Sequence, residues 1–180
     1  MFFSKLFAAF TVASFGFVAA NPVAHEVAKR DNADIQEVLN TLKGSTDEIL
    51  PQIKDLSDSG NATEDNLTPL FTQLTTALDT ATASLGDLEP SSSRKRQSDD
   101  DIANLVAGIV TDISDSVSGI TDVAAIAALF PGLDASLAQV LKGLETLLAG
   151  VLNLVATLLV DVAALLRRLA FGLTLAALGL

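Results

Sequence analysis

From Ile35 onward, large apolar residues recur every three or four positions, the period of a helix that buries one side. Ile35, Val38, Leu39, Leu42, Ile49, Ile53 and Leu56 make a first stripe, interrupted by Gly44-Ser45 and Pro51. Leu67, Leu70, Phe71, Leu74, Leu78, Ala81, Leu85 and Leu88 make a second, after the turn-like Asp58-Ser59-Gly60-Asn61. Two narrow stripes across a polar turn predict an amphipathic helical hairpin over residues 31–89, its first helix bent or broken near Pro51. A third stripe, Ile102, Leu105, Val106, Ile109, Ile113, Val117 and Ile120, lies opposite Asn104, Thr111, Ser114, Asp115 and Ser118. It predicts a helix ending or bending near Ser118-Gly119, then a shorter one over 122–129, before Pro131-Gly132 turn the chain into its last segment.

That segment, Leu133 to Leu180, runs 48 residues without a proline and carries only Asp134, Lys142, Glu145, Asp161, Arg167 and Arg168 as charges. Advancing 100° per residue puts seventeen large apolar residues between Leu133 and Leu169 on one side, Leu154 and Leu158 among them. The six charges fall on the other side, where Val160 is the one large apolar exception. So wide an apolar arc needs a cover. The helix at 102–120, copies of the same chain or an apolar surface would serve, and a fold-back near Gly150 or Gly172 into a compact bundle fits equally. As a membrane span the segment is short, because its longest uncharged run, Thr146 to Val160, has 15 residues. That is about 22 Å of helix at 1.5 Å each, against a hydrocarbon core of about 30 Å. The expected class is therefore all-α, with long Leu/Ala/Val-rich amphipathic helices over residues 102–180.

Composition changes the picture in two ways. Residues 1–20 have the Lys5 n-region, the apolar Leu6–Val18 core and the small-residue exit of a secretory signal, which places the mature chain outside the cell. Yet there is no cysteine, so stability has to come from helix packing or assembly rather than disulfides. With no Cys, and with His25 the single histidine and in a segment expected to be removed, Ser-His, Cys-His and zinc chemistry have no partners to draw on. No catalytic, cofactor or metal residue is assigned, and the chain is expected not to be an enzyme. The formal net charge of −11 argues against nucleic acid. It is concentrated in residues 31–93, where twelve acids face two lysines.

Basic runs punctuate the chain. Lys29-Arg30 closes a short propeptide, residues 21–30, and resembles a site read by kexin-type processing proteases. Arg94-Lys95-Arg96, inside the Pro/Ser/Asp-rich linker 90–101, is a second such site in a segment expected to be disordered. Asp99-Asp100-Asp101 lacks the glycine and distal glutamate of an EF-hand loop and reads as an acidic helix N-terminus capped by Ser98 or Asp99. Asn61 and Asn66 head N-glycosylation sequons, with Asn61 better placed because Pro69 follows the second. Thr72, Thr75, Thr76, Thr80 and Thr82 offer hydroxyls for O-linked sugar or simply a solvated face.

The stretches RKRQSDDDIANLVAGIVTDI (94–113) and LKGLETLLAGVLNLVATLLVDVAALLRRLAFGLTLAALGL (141–180) resemble a family of secreted, cysteine-free proteins from mushroom-forming fungi. Its members pair a hydrophilic N-terminal half with a hydrophobic C-terminal one. The resemblance implies a wall and aerial-hypha protein that supports attachment and partly substitutes for hydrophobins, and it brings no catalytic residues. The expected function is a non-enzymatic, surface-active protein of the fungal wall or extracellular matrix. Its partners would be apolar surfaces, the cell wall, copies of itself or a membrane interface, reached through the C-terminal helices. The alternatives are a helical lipid- or sterol-binding module, and a proprotein cut into surface- or membrane-active peptides.

Overall fold

A computed structural model describes residues 23–89, 96–121 and 126–180, with backbone alone for 23–31 and 96–98. The signal region, Arg94 and Lys95 lie outside the described residues. Among the described residues there are seven α-helices and no strand: α1 Val23–Asp58, α2 Glu64–Gly86, α3 Arg96–Ser118, α4 Phe130–Leu147, α5 Val151–Leu158, α6 Ala163–Arg168 and α7 Gly172–Leu178. A 3-10 turn, Ile126–Ala128, precedes α4.

The first two helices form the expected hairpin, but α1 is unbroken. Gly44 and Ser45 are ordinary helical positions, and Pro51 lies on the solvent side, where the missing N–H leaves the freed carbonyl to water. The turn after α1 is a Schellman motif: the Gly60 N–H donates to the Ser57 carbonyl at 3.1 Å and the Asn61 N–H to Leu56 at 2.9 Å. Gly60 adopts φ +71°, which a side chain would disfavour. Helix α3 starts at Arg96 rather than at a Ser98 or Asp99 cap, so residues 96–101 are helix and Asp99 lies in its first turn.

After α3, the segment from Leu133 is not one long helix: only α4 is long. The chain then breaks at Gly150, again over 159–162, and a third time just before Gly172, so the fold-back alternative describes this segment. Two acids on its expected polar side hold the helix starts at two of these breaks. Asp134, only 4% exposed, accepts the Leu173 N–H at 2.9 Å and the Thr174 N–H at 2.8 Å, supplying from α4 the cap that α7 lacks. Glu145 likewise accepts from Gly150 at 2.7 Å and Leu152 at 3.2 Å, at the start of α5. Each carboxylate sits at the positive end of a new helix, where the exposed amides and the helix dipole favour it.

Packing closes a ring: α3 lies on α1, α1 on α2, α2 on α4, α4 on α7, α7 on α5, and α5 on α3. One core takes buried side chains from all seven helices. Thirteen of the seventeen residues of the wide apolar arc are buried in it, so the cover for that arc is this chain's own α2, α3 and α7. Phe130 joins the layers, its ring 5.9 Å from Phe71 of α2 and 6.3 Å, edge-on, from Phe171 ahead of α7. Ser114, expected on the outer side of α3, is fully buried, its hydroxyl satisfied by the Val110 carbonyl at 2.7 Å. Across the helices, Ser136 donates to Asp79 at 2.6 Å and Ser57 to the Gly119 carbonyl at 3.0 Å. Lys43 of α1 meets Asp47 at 2.8 Å and Asp112 of α3 at 3.5 Å, and its hydrogen bond to Asp47 holds its ammonium above the ordinary lysine range. No helix among the described residues is long and apolar enough to cross a membrane.

Candidate functional site

Two surfaces stand out from a closed core. The first is built by the short helices. Leu154 and Leu158, placed on the buried arc by a continuous 100° count, are exposed because the break at Gly150 resets the phase. With Val160, which is 61% exposed, and with Leu173 and Leu180, they are the large hydrophobic residues left in water among the described residues. Arg167 and Arg168 are exposed at the end of α6, and α7 packs against both α5 and α6. Since Asp134 and Glu145 are spent on backbone amides, the fully exposed charges from α4 to the end are Lys142, Arg167 and Arg168 against Asp161. The sequence places as many acids as bases there; among the exposed side chains three are basic and one is acidic.

The second surface is a groove of about 770 Å³ between α1 and α2. Its floor is apolar, with Leu42, Ile49 and Ala81 buried and Val38, Ala77 and Leu88 half-buried. Asp34, Glu37, Glu48 and Asp87 rim it, and among the described residues no lysine or arginine lines it. Five of its six hydroxyls are already committed as donors. Thr41 donates to the Glu37 carbonyl, Ser45 to Thr41, Thr72 to Thr68, Thr76 to Thr72 and Thr80 to Thr76, at 2.7–3.2 Å. What they turn to the groove is acceptor lone pairs. The hydroxyl series on α2 was visible in the sequence as possible sugar sites; that α1 supplies the facing wall was not.

Of the modification residues, Asn61 sits exposed in the turn between α1 and α2, its amide donating to Ser59 Oγ at 3.3 Å. Asn66 lies in the first turn of α2 and donates to the Asn61 carbonyl at 3.1 Å. Lys29 and Arg30 fall within the backbone of α1 and Arg96 opens α3, whereas Arg94 and Lys95 lie outside the described residues. Among the described residues no cluster of three or more His, Cys, Asp or Glu side chains is arranged to hold a metal ion.

Fold and surfaces define a cysteine-free all-α bundle with an acidic groove at one pair of helices and a basic, leucine-bearing face at another. No family model matches the chain. Over 91 residues it is 54% identical to fruiting body differentiation protein 16 of Flammulina velutipes, a match that takes in 48% of this chain and 70% of that protein. The chain belongs to the family of that fungal fruiting-body protein.

Proposed function

We propose that the protein is a non-enzymatic, secreted component of the fungal wall or extracellular matrix that coats apolar surfaces during fruiting-body development. The observation that carries this reading is that Leu154, Leu158, Val160 and Leu173 are left in water on and between the short C-terminal helices, which also expose Arg167 and Arg168. Apolar side chains next to cations on a marginal layer of a bundle suit adsorption to apolar or anionic surfaces. The relative's name supports the developmental setting. A lipid or sterol carrier would want an enclosed apolar hollow, and the groove between α1 and α2 is rimmed by carboxylates instead.

Removing the C-terminal segment would be an uninformative test, because it would remove much of the shared core. The triple variant Leu154→Ser, Leu158→Ser, Leu173→Ser changes only exposed positions. It should keep the helical circular dichroism spectrum and thermal midpoint of the parent while losing most of its adsorption to a hydrophobic sensor surface. Equal adsorption by the variant sinks the reading.

A further inference from the structure

The groove and the leucine-bearing face are complementary in both charge and hydrogen-bonding sense. Carboxylates and committed hydroxyls make the groove rich in acceptors over an apolar floor, with the Gln73 amide and the Ser84 hydroxyl as donors among them. Arginine is the side chain that suits such a surface, since it has five N–H donors and no acceptor. The short helices α5, α6 and α7 expose Leu154 and Leu158, Arg167 and Arg168, and Leu173 respectively, with Asp161 the one exposed acid among them, and α7 packs on both α5 and α6. The two surfaces lie on different helices of one closed bundle, so a molecule does not satisfy its own groove with its own face. We propose that the protein assembles head to tail, the face of α5–α7 of one copy seating in the groove between α1 and α2 of the next.

The groove is long enough to receive these short helices. From Asp34 to Gln52 its α1 wall extends about 27 Å at 1.5 Å per residue, whereas α5 has 8 residues and α6 has 6. Ala77, Ala81 and Ser84 on the α2 wall are small and allow close approach. Because the two surfaces differ, the contact is heterologous and an open assembly of any length still offers one free groove and one free face. Chains or films grow unless the rotation between copies closes a ring. The rim charges are exposed, so association weakens as salt screens them. Assembly deepens the coating role proposed above, yet it is read in bulk solution with no surface present, so its failure leaves the adsorption reading standing.

The test is sedimentation of the full chain over a range of concentration and salt, with two charge reversals. Glu37→Lys with Glu48→Lys alters the groove, and Arg167→Glu with Arg168→Glu alters the face; all four positions are exposed, and circular dichroism checks the fold. The parent should gain mass with concentration beyond a dimer, and roughly tenfold less readily in high salt. Each reversal alone should stay monomeric, and the chain carrying both should assemble again. A parent that is monomeric throughout, a mass that stops at two copies, reversals that assemble like the parent, or a double reversal that is not rescued would each overturn the proposal.

Discussion

Asp134 shows how one side chain can decide the path of a chain. A helical count puts it on the solvent side of a long helix, where a carboxylate is unremarkable. Instead it is buried and accepts two backbone N–H groups 39 and 40 residues later. Asp134→Ala should destabilise the bundle by about 2 kcal/mol, through a lost cap, one unpaired buried amide at Thr174 and one part-buried at Leu173, and Asp134→Asn by less. Urea unfolding reads the cost, and amide exchange should show protection failing first at Leu173 and Thr174. Ala170 is the opposite case. It closes α6 in a Schellman motif, with the Phe171 N–H donating to Leu166 at 3.0 Å and its own N–H to Arg167 at 3.2 Å, but at φ +59° in a position that favours glycine. Ala170→Gly should therefore raise stability by about 0.5–1 kcal/mol, seen as a higher thermal midpoint. Unchanged or lowered stability would mean that no strain is stored there.

At the scale of elements, the periodicity of α2 and α3 was legible because one uninterrupted helix preserves its phase over its whole length. Every residue of the α2 stripe from Leu67 to Leu85 is buried. Legibility fails where phase is reset. After Gly150 the same count misassigns Leu154 and Leu158, and nothing in their identity marks them as exposed. The positions of two of the three breaks could be suspected from Gly150 and Gly172, but their cause could not. That Glu145 and Asp134 would turn inward to hold new helix starts is a tertiary fact, set by which helices become neighbours. The candidate surfaces were hidden for the same reason: the groove needs two walls, and the basic character of the C-terminal face appears only once two acids are consumed. The exposed and buried apolar residues of this half should respond differently to truncation. Phe171→Ala, at a fully buried ring in contact with Phe130, should cost about 3–5 kcal/mol, whereas Leu154→Ala should stay within about 0.5 kcal/mol. Chemical denaturation of the two variants measures the contrast.

At the scale of the whole molecule, the hydrophilic and hydrophobic halves of the sequence are not two bodies. α1 and α2 pack on α3 and α4, and the buried residues form one cluster. A cut after Arg96 should then leave the fragments bound to each other: after proteolysis they should co-elute in size exclusion as one species with the parent's helical content, and separate only in denaturant. Fragments that part in native buffer would show that the shared core is too weak to hold them. The ring of helices also bears on synthesis. Phe71 waits for Phe130, and Phe130 for Phe171, so although α1 can already pack on α2 and α3, the sides of α2 and α3 that meet α4, α5 and α6 stay uncovered while the ribosome is still adding the last third of the chain. Contacts of such long sequence separation close late and slowly. The nascent protein therefore stays loose until its final helices emerge, and in that interval it depends on whatever chaperones attend it more than a bundle of successive hairpins would.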